Sequence, residues 1–127
     1  MFSSILLMKI QNILKKHTEY FQKNWNYTTS KNLSEFLSVV TRIPQNRLSI
    51  KDALLVLEDF INVMTILYPN EESIIQFKKI LEKYEPSGLQ IHDYEILSIA
   101  LSNQITTIAT FNEKDFRKVK EIKLFTL

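Results

Sequence analysis

The sequence predicts an α/β fold in which helices cover a short parallel sheet, and three observations lead there. Gly88 is the only glycine in 127 residues. A hairpin-rich chain needs several glycines for turns with positive φ, so an all-β fold is disfavoured. Several segments repeat apolar residues at spacings of three and four, the mark of helices with one buried face. Between them lie short β-branched, apolar runs, and helices that alternate with such runs indicate a parallel sheet with covered faces.

The elements follow in order. From Ser3 to about Gln22, Ile5, Leu6, Met8, Ile10, Ile13, Leu14 and Phe21 predict an amphipathic helix. "NYTTS" supplies a short β-prone run at Tyr27, Thr28 and Thr29. "NLSEFLSVVTRI" predicts a helix with Asn32 as N-cap, ended by Pro44. "LSIKDALLVLEDFI" predicts the next, with Ser49 as N-cap, Asp52 three residues on, and Ala53, Leu54, Leu57 and Phe60 at helical spacing. "NVMTILYP" predicts a short buried strand closed by Pro69. "NEESIIQFKKILEKY" is a strongly amphipathic helix with Glu71 and Glu72 in the first turn, where the helix dipole favours carboxylates. "EPSG" breaks the chain, and "DYEILSIALSN" predicts a helix apolar nearly all round, hence buried. "ITTIATF" and "IKLFTL" predict strands joined by the basic "NEKDFRKVKE". The whole is a three-layer α/β/α sandwich in one domain, residues 1–127, without repeat, linker or low-complexity segment.

Composition narrows the function classes. The chain is 45% hydrophobic and 24% charged, ordinary for a globular domain, and one this long buries roughly two thirds of its unfolded surface. It has no cysteine, which excludes disulfides, thiolate metal sites and a cysteine nucleophile. A net charge of +2 demands that any polyanion site come from a local cluster. No run of about 18 apolar residues exists to span a bilayer. In "MFSSILLMKIQNILKK" the positive charges follow the apolar run, the reverse of a signal peptide. A cytoplasmic protein with no membrane partner is expected.

Three acids are candidates for chemistry: Glu35, Asp93 and Asp115. Each has a plain structural explanation. Glu35 stands three residues after Asn32 and Asp115 three after Asn112, as in capping boxes, while Asp93 opens a helix. Position argues for more. In an open parallel sheet, ligands collect beyond the carboxyl ends of the strands, where strand hands over to helix. Glu35 follows "NYTTS", Asp115 follows "ITTIATF", and Asp93 opens the helix leading into that strand. Carboxylates converging from distant parts of a chain make a hard-oxygen site suited to Mg²⁺ or Mn²⁺.

The same stretches resemble PIN-domain ribonucleases of the VapC toxin type, over roughly Tyr27 to the C-terminus. "TTSKNLSEFLSVVTR" is similar to the family's second acidic motif: a short strand, then a helix with one Glu in an apolar frame. "GLQIHDYEILSIALSNQITTIATFNEKDF" is similar to its later motifs. There an Asp opens a buried helix, and a strand follows with a Thr, a polar residue two positions on, and an Asp-Phe pair. Here these are Asp93, Thr110, Asn112 and Asp115-Phe116. The resemblance implies that Glu35, Asp93 and Asp115 form the acidic cluster, with Asn112 sharing or replacing the fourth position.

That resemblance implies a metal-dependent endoribonuclease with Mg²⁺ or Mn²⁺ as cofactor, the toxin of a type II toxin–antitoxin system. It further implies a small antitoxin protein as partner, and a homodimer. Arg117, Lys118, Lys120 and Lys123 adjoin Asp115 and are candidates for RNA phosphate contacts, against the simpler reading of a solvated basic face. His92 is a candidate donor or general base, though a loop or cap histidine is the plainer reading. Trp25 and Tyr27 are candidates for base stacking, or else core or interface aromatics, and His17 is assigned nothing.

One departure matters. The family's chain opens on a central strand ending in Asp, and no such motif stands here; the nearest imitation, "SILLMKIQN", places Met8 where the acid falls. The expectation is a domain lacking its first central strand and a principal metal ligand, truncated at its N-terminus. Activity is then impaired. The alternatives are a catalytically inactive PIN remnant acting as a binding or regulatory module, and an unrelated helical scaffold whose acids are caps.

Overall fold

A computed structural model describes residues 27–110 and 113–126. The elements in order are β1 (Tyr27–Thr29), α1 (Ser30–Val40), α2 (Ile50–Val63), β2 (Thr65–Leu67), α3 (Glu71–Tyr84), α4 (Gln90–Ser102), β3 (Thr107–Thr110), α5 (Glu113–Phe116) and β4 (Lys123–Thr126). The predicted helix from Ser3 to Gln22, with His17 and Trp25, lies outside the described residues, as does Asn112.

Helices alternate with short strands as expected, and the strands pair in parallel. β1 runs beside β2 in the register Tyr27↔Thr65 to Thr29↔Leu67. β3 runs beside β4 from Thr107↔Lys123 to Thr110↔Thr126. Among the described residues these are two separate two-stranded sheets. Among the described residues no strand joins β1 to β3.

Two start signals differ from expectation. Thr29, not Asn32, caps α1. The Thr29 hydroxyl accepts the Asn32 N–H at 3.1 Å, while Asn32 Oδ1 accepts the Thr29 N–H at 3.3 Å and its hydroxyl at 2.7 Å. This reciprocal box satisfies helix-start donors from inside, and Asn32 is fully buried by it. Glu35 is thereby released from any capping duty. Asp93 is not a cap either: α4 starts at Gln90 with no side-chain cap, and Asp93 lies inside its first turn. Ser49 does cap α2, accepting the Asp52 N–H at 3.1 Å.

α2 continues through Asn62 and Val63, where a strand was expected to begin. Phe60 and Met64, one turn apart, both bury in a single cluster with Phe36, Val40 and Ala53, and burying both favours one more helical turn over an earlier strand. β2 is accordingly only Thr65–Leu67. Gly88 adopts φ +61°, the left-handed turn that re-aims the chain from α3 into α4. As its composition predicts, α4 is buried nearly all round, through Tyr94 and Ile96 to Ala100.

A second cluster joins Ile80 of α3, Tyr94, Leu97 and Ala100 of α4, Ile108 of β3, and Phe116 and Val119 beyond. α4 also packs on β1, so this helix touches both strand pairs. Its first turn carries Asp93.

A polar lock fastens the end of α3 to the loop before β4. The Tyr84 hydroxyl donates to the Glu121 carboxylate and accepts the Lys120 N–H at 2.9 Å, with Lys83 Nζ 3.3 Å from Glu121. Burial pushes the Glu121 carboxyl up, but Tyr84 and Lys83 outweigh it and hold it below its ordinary value. Tyr84→Phe is expected to cost about 1 kcal/mol, because Lys120 N–H is exposed and regains water in place of the lost acceptor. Urea unfolding at neutral pH measures it.

Candidate functional site

Glu35 stands on α1, just past the carboxyl end of β1, and Asp115 on α5, just past the carboxyl end of β3. Asp93 enters from the first turn of α4. All three are partly buried. The Glu35 carboxyl is pushed up to about 7, first by burial and then by the charge of Asp93, while Lys31 and Arg42 draw it down. Two carboxylates from α1 and α4 therefore share one electrostatic environment. Asp93 and Asp115 in turn both act on Tyr94, whose phenol is raised by burial first, then by Tyr84, Asp93, Glu121 and Asp115. Tyr94 is buried, and its hydroxyl has no hydrogen-bond partner among the described residues.

Lys31 adds a feature that sequence reasoning missed. Its ammonium lies 3.2 Å from Glu95 Oε2, tying α1 to α4. The intrahelical half of the signal was visible, since Lys31 and Glu35 are four residues apart on one helix face. The tie to Glu95 crosses between helices and no spacing shows it.

Mg²⁺ and Mn²⁺ favour hard oxygen donors, and the Glu35–Asp93 pair fits them in donor type, the Glu35 charge made costly by burial and by Asp93. The described residues contain no group of three or more His, Cys, Asp or Glu side chains able to hold a metal ion. Asp115 thus does not close a three-carboxylate cage with the other two. His92 is exposed in the first turn of α4 and Tyr27 is exposed at the start of β1. Arg117, Lys118, Lys120 and Lys123 are all exposed around α5 and the start of β4, a basic surface next to Asp115.

No family model matches the chain, and no curated protein does. Solved structures do. A chain in the crystal structure of DNA-bound VapBC from Salmonella typhimurium matches with a TM-score of 0.73 and 21% identity, over 98% of this chain and 93% of that one. VapBC-1 from nontypeable Haemophilus influenzae matches with 0.68 and 18%, over 92% and 91%. VapBC2 from Rickettsia felis, bound to a fragment of its promoter DNA, matches with 0.65 and 18%, over 91% and 85%. Identity this low speaks for architecture alone: the chain has the fold of the chains it matches in these VapBC structures.

Proposed function

We propose that the chain is the toxin-type member of a toxin–antitoxin pair, a metal-dependent endoribonuclease that acts in the cytoplasm. The observation that carries this reading is Glu35 and Asp93, two partly buried carboxylates on separate helices, with the Glu35 carboxyl raised by burial first and then by the charge of Asp93. Carboxylates placed so are costly to the fold and suit a cation-binding role. A bound Mg²⁺ or Mn²⁺ would offset phosphodiester charge and lower the pKa of a water.

The chain's own groups take the remaining roles. Asp93 and Glu35 are the first ligands or orienting groups. Asp115, which closes no three-carboxylate cage with them, would act through a bridging water, and Asn112 is the further candidate donor, outside the described residues. Arg117, Lys118 and Lys120 meet RNA phosphates as exposed point charges. The structural neighbours are VapBC complexes, which supports a small antitoxin protein as partner; a homodimer belongs to the same reading. No helix among the described residues is long and apolar enough to cross a membrane.

A second reading has its own observation. Among the described residues no three ligands assemble around one point, which favours a PIN domain retained for binding without cleavage. One experiment separates the two: incubation of RNA with the protein and Mn²⁺ or Mg²⁺, comparing wild type with Asp93→Asn. Weak cleavage that disappears in Asp93→Asn is the expected result. Robust cleavage untouched by the substitution sinks the site assignment. RNA binding without cleavage, weakened when Arg117, Lys118 and Lys120 are neutralised, establishes the second reading.

A further inference from the structure

α2 carries two apolar faces, and the core accounts for one of them. Ala53 and Phe60 are buried and Val56 packs with them, in the cluster that seats α2 on α1. About 90° further round the helix axis lie Ile50, Leu54, Leu57 and Ile61, at spacings of four, three and four. Ile50 is 59% exposed, Leu54 47% and Ile61 45%, and Leu57 between them is half-buried. These are the spacings of a heptad seam, the narrow apolar stripe by which one helix packs along another. Single apolar residues on a surface are ordinary, whereas a row in helical register marks a contact surface.

The residues beside the seam decide what it meets. Along its outer edge, away from the core face, stand Lys51 and Glu58, both exposed. A second α2 laid antiparallel on the first sets Leu54 opposite Leu57 and Ile50 opposite Ile61. Lys51 of each copy then falls beside Glu58 of the other, and symmetry makes the pair twice. A parallel pairing instead drives the Lys51–Glu58 edge of one helix against the core-facing edge of the other, where that copy's own α1 already packs. The seam is thus complementary to itself in both shape and charge, as a two-fold contact requires. With 14 residues, α2 is about 21 Å long, which makes the contact small and reversible.

We propose that α2 is the docking surface for a second copy of this chain: two α2 helices pack antiparallel through Ile50, Leu54, Leu57 and Ile61, with Lys51 and Glu58 paired across the outer edge. The proposal gives a surface to the homodimer named under the proposed function and rests on that part of it; RNA and metal play no role. The test is sedimentation equilibrium of the full chain at low ionic strength, from about 5 to 200 µM, where small interfaces dissociate. Wild type is expected to dimerise reversibly in this range and Leu54→Asp to stay monomeric. Lys51→Glu and Glu58→Lys are each expected to weaken the dimer roughly tenfold, because each replaces two attractions by two repulsions. Mixed together, these two variants are expected to regain wild-type affinity as a heterodimer, since every glutamate then meets a lysine again. The substituted side chains are exposed, so urea midpoints at high dilution should match wild type, and the charge variants decide alone where Leu54→Asp fails to fold. A dimer that survives Leu54→Asp overturns the seam and leaves the homodimer standing. Charge variants that do not recover on mixing overturn the antiparallel pairing. A wild-type monomer throughout the range overturns the homodimer itself, and turns the seam over to a helix of another protein.

Discussion

Glu35→Gln is expected to stabilise the protein at pH 8 by about 2 kcal/mol and to leave its stability at pH 4 unchanged. The carboxyl of Glu35 is raised from 4.5 to about 7 by burial and by Asp93. A raised folded-state value means that the folded protein holds the proton more tightly than the unfolded chain does. The contribution is therefore fully present below pH 4.5, declines as pH rises and the unfolded chain gives up its proton first, and is gone above about 7. Taken whole, that interval corresponds to about 3 kcal/mol, and water reaching a partly exposed carboxyl reduces it to about 2 kcal/mol. Denaturant unfolding between pH 4 and pH 8 checks the claim. Wild type should lose stability steadily over the interval and Glu35→Gln should not. Parallel profiles for the two proteins show that Glu35 is ionised at no cost, which removes the electrostatic argument for a site.

Much of this was legible in the sequence, and the misses have physical causes. One glycine and alternating helical and β-branched runs were enough for the α/β class, because pattern and composition reflect burial directly. The buried character of α4 was legible for the same reason. Boundaries were harder. At Asn62 and Val63 the local residues favour a strand, but the long-range burial of Phe60 and Met64 carries the helix past them. Thr28, Thr29, Ser30 and Asn32 are all capping residue types, and choosing Thr29 requires the reciprocal bonds with Asn32 to be seen. The positions of Glu35 and Asp115 beyond strand ends followed from the topology of parallel sheets. The raised carboxyl of Glu35 did not, because it depends on burial in the fold and then on Asp93, 58 residues away in the chain. The Lys31–Glu95 and Tyr84–Glu121 contacts were illegible for the same reason: each joins elements whose approach is set by packing.

Phe36→Ala is expected to cost about 3–5 kcal/mol, the largest loss from any single change proposed for this chain. Phe36 is 1% exposed and meets Phe60 edge to face, with ring centroids 5.4 Å apart and planes at 84°. It is the side chain through which α1 seats against α2, in a cluster with Val40, Ala53 and Met64. Removing the ring loses its transfer free energy and leaves a void that rigid neighbours fill only in part. A domain of this size has roughly 5–15 kcal/mol in total, so the variant should unfold at markedly lower urea with an unchanged dependence on denaturant. Leu55→Ala is the control: Leu55 is 60% exposed and its loss should stay within about 0.5 kcal/mol. Phe36 also directly follows Glu35, so the ring that anchors α1 in the core fixes the helix that carries Glu35. A cost for Phe36→Ala below about 1 kcal/mol would mean that α1 is not seated by this contact, and the position of Glu35 on α1 would lose its structural support.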